Sequence, residues 1–65
     1  QIRLNGEQQT FEGITTLAQL VAQLGLTDKR IAVEVNDELV PRSAHDQQQL
    51  HNGDRIEIVQ AIGGG

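Results

Sequence analysis

The chain of 65 residues contains no cysteine, tryptophan, tyrosine or methionine, and Phe11 is its one aromatic residue. The lack of cysteine excludes a disulfide scaffold, a thiolate metal site and a catalytic thiol. No apolar run approaches the ~18 residues of a membrane-spanning helix, and no apolar stretch typical of a signal peptide follows the N-terminus. These absences are compatible with a cytoplasmic protein without membrane contacts, which we expect, although a mature secreted chain would show the same absences. Since Gln1 is not an initiator methionine, we also expect at least one residue to precede it.

Basic residues are also scarce, because five lysines and arginines stand against nine acidic residues and the net charge is −4. Proteins that bind nucleic acid need a cationic face that displaces counterions from phosphates, so that class is excluded. An acidic chain suits docking onto a basic protein partner. The length allows one small hydrophobic core, and hence one domain.

No constellation of side chains predicts an enzyme. His45 and His51 are six residues apart, whereas metal-binding pairs on a helix are usually four apart. Ser43, the one serine, lacks the glycines of a nucleophile elbow. Two pairs of acidic residues, Glu34 with Asp37 and Asp46 with Asp54, are candidates for acid–base chemistry. We interpret these carboxylates and both histidines as solvated, and we expect no bound cofactor.

The first residues predict a β-hairpin. Ile2 and Leu4 alternate with polar residues, as in a half-buried strand. The dipeptide Asn5-Gly6 is typical of a type I′ turn, which requires positive φ at both positions. We predict that the second strand covers residues 8–11 and lies at a sheet edge, because it is polar apart from Phe11.

An amphipathic helix is predicted over residues 17–24. Thr16 and Gln19 have the spacing of a capping box, and Gly25 suits the left-handed residue that closes the last turn. The apolar positions follow helical spacing and form one stripe, which consists of Leu17, Leu20, Val21 and Leu24.

Three further strands are predicted after the helix, over residues 31–35, 38–40 and 55–61. Alternation places Ile31, Val33 and Val35 on the inner face of the first, and Ile56 and Ile58 on that of the last. Residues 43–50 are polar and predict a short helical turn. One helix covering a mixed sheet, with the first and last strands parallel, is the compact solution. We therefore predict an α+β fold of the β-grasp type, as in ubiquitin, over residues 1–62.

The last three residues, Gly63, Gly64 and Gly65, form a tail without side chains that follows the last strand. We expect residues 63–65 to be flexible, since glycine loses the most entropy on ordering. One interpretation is a frayed end or the remnant of a linker. The other is a narrow arm, about 13–14 Å long from Ile62, that presents the Gly65 carboxylate to another protein's active site. Activation by AMP from ATP would let that carboxylate accept sulfur as a thiocarboxylate.

The chain resembles the ThiS family of sulfur carriers of thiamin thiazole biosynthesis, over essentially its whole length. The most specific segment is residues 36–42, which contains Val40-Pro41-Arg42. A terminal diglycine alone is less specific, because other ubiquitin-like carriers share it. The remaining matching segments are residues 2–6, Leu17 with 20–24, 32–36, 52–59 and Gly64-Gly65.

This resemblance implies three partners and one modified residue. A ubiquitin-activating-type adenylyltransferase (ThiF) would consume ATP to adenylate Gly65. A sulfur-transfer enzyme would then form the thiocarboxylate, and thiazole synthase (ThiG) would take up the sulfur. Gly64 would be the slim neighbour of the reactive residue, and Gly63 an addition to the minimal diglycine.

Residues beside the tail are candidates for partner binding. Because Ile56 and Ile58 face inward, alternation turns Val59 and Ala61 outward, next to Ile62 and the glycines. Arg42 is either a solvated residue after the strand stop at Pro41 or a contact with the adenylyltransferase. Two other functions stay open: a sulfur carrier for molybdopterin synthesis (MoaD-like), and a non-covalent ubiquitin-like interaction domain with an inert tail.

Overall fold

The computed structural model describes residues 1–60 and begins with an antiparallel hairpin of β1 (Ile2–Leu4) and β2 (Glu7–Gln9). Asn5 and Gly6 have φ of 50° and 84°, which confirms the predicted turn. The prediction of residues 8–11 for β2 was wrong in its bounds, because the two-residue turn places Glu7 directly opposite Leu4. Phe11 lies beyond the strand and packs against the core from the loop.

Helix α1 (Leu17–Gln23) begins where the capping box predicted. The backbone amide of Gln19 donates to Thr16 Oγ1 at 3.3 Å, and the backbone amide of Thr16 donates to Gln19 Oε1 at 3.1 Å. Leu24 is the C-cap, so the helix ends one residue before the predicted bound. Gly25 follows with φ of 75°, the left-handed conformation expected of it. Within residues 1–60, no helix is long and apolar enough to cross a membrane.

Strands β3 (Ile31–Val35), β4 (Glu38–Val40) and β5 (Arg55–Gln60) complete a five-stranded sheet with the order β2-β1-β5-β3-β4. The first and last strands are parallel neighbours, with Leu4 opposite Ile56, and the other pairs are antiparallel. This arrangement confirms the predicted β-grasp fold. The predicted end of the domain at residue 62 lies outside the described residues.

The hydrophobic core lies between α1 and one face of the sheet. Leu17 and Leu20 of the helix are fully buried there. Ile31, Ile58 and Leu24 are half-buried and pack against this core from its margin. The helix leaves the other face of the sheet uncovered. The remaining core residues are Ile2, Leu4, Val21, Val33, Val35, Val40 and Ile56.

A short 3-10 helix (Arg42–Ala44) follows β4 and confirms the predicted helical turn. The prediction of a solvated His45 was wrong, because its side chain is only 7% exposed. The turn brings His45 against α1, where its carbonyl accepts the Ala18 amide at 3.0 Å. Its Nε2 lies 3.1 Å from the Val40 carbonyl oxygen, so the ring links the 3-10 helix to the end of β4.

Candidate functional site

Strand β5 leads to the predicted reactive tail and lies at the centre of the sheet. It pairs with β1 on one side and β3 on the other, and its last residue, Gln60, is opposite Ile31. The predictions for Ala61, Ile62, Gly63, Gly64 and Gly65 fall outside the described residues and stay predictions. What the structure defines is the base from which residues 61–65 continue.

Two asparagine side chains fix β5 from opposite sides. Where β1 ends, the Ile58 amide donates to Asn5 Oδ1 at 2.7 Å, and Asn5 Nδ2 donates to the Ile58 carbonyl at 3.2 Å. At the start of β5, the Arg55 amide donates to Asn36 Oδ1 at 2.9 Å. Both asparagines have positive φ, near 50°. Their amide groups therefore replace strand pairing at points where the neighbouring strand has turned away.

Asp54 supports this arrangement immediately before β5. Its carboxylate accepts Asn36 Nδ2 at 3.0 Å and the His51 amide at 2.7 Å. The prediction that this carboxylate is solvated was wrong, since Asp54 is 9% exposed. Two donors from the surrounding turns replace the water it would otherwise bind. The other acids of the two pairs, Glu34, Asp37 and Asp46, are exposed as predicted.

Replacing Asn5 by glycine should loosen β5 without straining the turn, because glycine adopts positive φ freely. Two hydrogen bonds to Ile58 are lost, and we expect the free energy of unfolding to fall by about 1–3 kcal/mol. Urea unfolding and amide exchange at Ile58 measure the effect. Asn5→Asp is the matched control, since it keeps the acceptor for the Ile58 amide and should lose less. Equal stability of Asn5→Gly and the parent chain would show that the side chain does not brace the strand.

Val59 lies on the uncovered face of the sheet, as alternation predicted. It is opposite Ala32 and is 64% exposed. Leu39, 66% exposed, is the other large apolar side chain that is strongly exposed in residues 1–60. The exposure of Val59 is confirmed, and its role in docking stays a prediction.

Arg42 is exposed but is held by the loop between α1 and β3. Its guanidinium donates to the Thr27 carbonyl at 2.8 Å and also to the Lys29 carbonyl. It lines a groove of about 300 Å³ with Ala18 and Val21 of the helix. Arg42 thus lies near the start of β3, at the end of the sheet where β5 finishes, but on the helix side. The structure therefore places Arg42 and Val59 on opposite sides of that end.

Grouped metal ligands do not occur within residues 1–60: no three histidine, aspartate or glutamate side chains are placed to hold an ion. The features that distinguish the site are the braced central strand, the exposed Val59 beside its end and the glycines that follow in the sequence. Sequence reasoning missed the hydrogen bonds of Asn5 and Asn36 to β5 and the burial of Asp54. The one signal in the sequence was that both asparagines lie in predicted turns.

One α-helix packed on a mixed sheet with parallel first and last strands defines a ubiquitin-like β-grasp domain. The structure is similar to the crystal structure of the thiamine biosynthesis protein ThiS from Geobacter metallireducens. The TM-score is 0.82 and the identity 28%, with 98% of this chain and 97% of that chain covered. The ThiS family model matches residues 2–65, and the chain belongs to the ThiS family.

Two curated relatives differ greatly in length. The chain is 34% identical over 65 residues to the sulfur carrier protein ThiS of Bacillus subtilis, covering 98% of each. It is 42% identical over 62 residues to a thiazole synthase of Paramagnetospirillum magneticum, covering 95% of this chain and 19% of that protein. The chain thus spans about a fifth of the length of the thiazole synthases that it matches.

Proposed function

We propose that this protein is a sulfur carrier for thiamin biosynthesis, which delivers sulfur as a thiocarboxylate at Gly65. The observation that carries the proposal is the ThiS family match over residues 2–65, which includes the terminal glycines. Similarity to the Bacillus subtilis carrier over nearly the full length of both proteins supports it. The same family match favours thiamin over molybdopterin synthesis, and a covalent carrier over an inert interaction domain.

The chemistry requires activation of a carboxylate, which is a poor electrophile. The Gly65 carboxylate attacks the α-phosphorus of ATP, pyrophosphate leaves, and an acyl-adenylate forms. Hydrosulfide supplied by the sulfur-transfer enzyme then attacks the carbonyl carbon, and AMP leaves with the oxygen through which it was attached, so that one carboxylate oxygen is replaced by sulfur. Catalytic groups for both steps belong to the partners, and holding the arm in their active sites supplies the proximity. The protein itself is a co-substrate in the cytoplasm.

We propose three successive partners for the carrier. A ThiF-like adenylyltransferase consumes ATP, a sulfur-transfer enzyme supplies the sulfur, and a ThiG-like thiazole synthase accepts it. The similarity to two proteins named thiazole synthase supports the last of these. The hydrogen bonds that β5 amides donate to the side-chain oxygens of Asn5 and Asn36 give the arm a fixed base, because they hold the strand that precedes it.

Replacing Val59 by aspartate should weaken binding to the adenylyltransferase by about tenfold or more, since a charge replaces an exposed apolar contact. The side chain is 64% exposed, so we expect the fold to persist. Titration calorimetry measures the affinity. Gln8→Asp is the control, because it adds the same charge to the same sheet face on the edge strand β2, which β1 separates from β5. Equal affinities of the two variants would remove Val59 from the interface.

Incubation with the adenylyltransferase and ATP tests the proposed function. Intact-mass analysis should show a gain of one AMP per chain, dependent on ATP and on the adenylyltransferase. Omission of the sulfur donor should leave the adenylate as the end product. A chain that binds neither the adenylyltransferase nor AMP under these conditions would contradict the proposal.

A further inference from the structure

The uncovered face of the sheet, which we call the open face, carries an unusual arrangement of charge. Its positions are fixed by alternation with the buried residues of each strand. Two arginines lie towards one end, two glutamates lie in the middle beside Leu39, and Ala32 and Val59 lie towards the end of β5. The members are Gln8, Arg3, Arg55, Glu57, Val59, Ala32, Glu34 and Leu39.

Glu34 and Glu57, which we call the acid pair, are directly opposite each other on β3 and β5. Residues so placed have Cβ atoms about 4.5–5.5 Å apart, and like charges in this position destabilise a sheet. Both side chains are exposed. The fold gains nothing from this arrangement, because a neutral residue at either position would remove the repulsion.

The cations of the open face do not neutralise the acid pair. Arg55, at the start of β5, forms an ion pair at 2.9 Å with Asp37, which lies in the turn between β3 and β4. Arg3 donates to the Gly6 carbonyl at 3.2 Å. Within residues 1–60, the ion pair between an arginine or lysine and a carboxylate is that of Arg55 with Asp37, so neither glutamate is paired.

Apolar side chains border the acid pair on two sides. Leu39 is directly opposite Glu34, so that Leu39, Glu34 and Glu57 form one row across three strands. The next row towards the end of β5 is Ala32 and Val59. The two most exposed large apolar residues of the described chain, Leu39 and Val59, therefore both lie next to the acid pair. The acid pair and these apolar neighbours therefore form one surface, which includes the docking surface proposed around Val59.

We propose that Glu34 and Glu57 jointly bind one arginine of the protein that docks on the open face. A guanidinium has five donors in a planar fork and can bond to two carboxylates at once, and arginine is enriched in protein interfaces. Apolar side chains around that arginine would pack on Leu39 and Val59 and exclude water from the ion pairs. The acid pair thereby fixes how the partner is oriented relative to β5. This inference rests on the proposed function, in which the adenylyltransferase docks here.

The test compares two doubly substituted chains that carry the same net charge. Glu34→Gln with Glu57→Gln removes the acid pair, and Glu7→Gln with Glu12→Gln removes two exposed charges at and beyond β2. Binding to the adenylyltransferase without ATP is measured at about 0.15 M salt, near physiological ionic strength. We expect the dissociation constant to rise by about tenfold or more for the first chain and by less than about twofold for the second.

Thermal unfolding of the same chains gives an independent readout. Because a like-charge pair is removed, the midpoint should rise by roughly 1–8 °C for the acid-pair variant. A more stable chain that binds its partner less tightly supports the proposal. Unchanged affinity of the acid-pair variant, or an equal loss of affinity in the control chain, overturns this proposal. If the parent chain is still adenylated in that case, the proposed function stands. A parent chain that neither binds the adenylyltransferase nor accepts AMP overturns both.

Discussion

Deletion of one terminal glycine is expected to lower the rate of adenylation by at least about a hundredfold without affecting the fold. The three glycines are consecutive, so the shortened chain still ends in diglycine. What changes is reach, because the carboxylate is drawn back by about 3.5 Å towards β5. Misplacement of a reacting atom by about 1 Å can already cost a hundredfold. Transfer of AMP to the chain, followed by intact mass, measures the rate.

Two substitutions separate reach from the shape of the arm. Gly63→Ala keeps the length and the terminal diglycine, and should be adenylated at nearly the rate of the parent chain. Gly64→Leu also keeps the length, but its side chain should block a narrow channel and stop the reaction. Normal adenylation of the shortened chain would show that the distance from β5 to the carboxylate is not critical.

Replacing Leu20 by alanine is expected to cost about 2–5 kcal/mol of unfolding free energy. Its side chain is fully buried at the centre of the contact between α1 and the sheet. At roughly 0.05–0.15 kcal/mol per residue, a domain of this length has about 3–10 kcal/mol of stability, so the substitution removes a large share of it. Urea unfolding followed by circular dichroism measures the change, and the variant should unfold at a clearly lower urea concentration than the parent chain.

Leu39→Ala is the matched control for Leu20→Ala, because the same atoms are removed from a side chain that is 66% exposed. Its cost should stay within about 0.5 kcal/mol, as for most surface substitutions. Similar losses in the two variants would contradict the assignment of Leu20 to the core.

Local patterns in the sequence predicted most of the fold. The helix followed from the capping box of Thr16 and Gln19 and from its apolar stripe, and the strands followed from alternation. The hairpin turn followed from Asn5-Gly6. The bounds of β2 were missed because the tight turn starts the pairing at Glu7, and that polar strand has no alternation to mark its ends.

The errors concern side chains whose surroundings come from distant parts of the sequence. His45 is buried because the 3-10 helix turns it against α1, where its carbonyl accepts the Ala18 amide, and Asp54 is buried beside Asn36, 18 residues away. Asn5 and its partner Ile58 are 53 residues apart. Such contacts depend on the register of the sheet, which no local pattern specifies.

The candidate site was predictable to different degrees. The exposure of Val59 followed from alternation alone. The juxtaposition of Glu34 and Glu57 required the pairing of β3 with β5, and so only the structure revealed it. The bonds of Arg42 to the loop after α1 also required the structure. The roles of residues 61–65 stay predictions.

The most direct test of a covalent carrier is the position of sulfur in the product. The chain is incubated with the adenylyltransferase, ATP and the sulfur-transfer enzyme with its donor, and is then fragmented in the mass spectrometer. We predict that one oxygen is exchanged for sulfur and that the exchange maps to the carboxyl group of Gly65. Sulfur on an internal residue, or an adenylated chain that never acquires sulfur, would contradict the account.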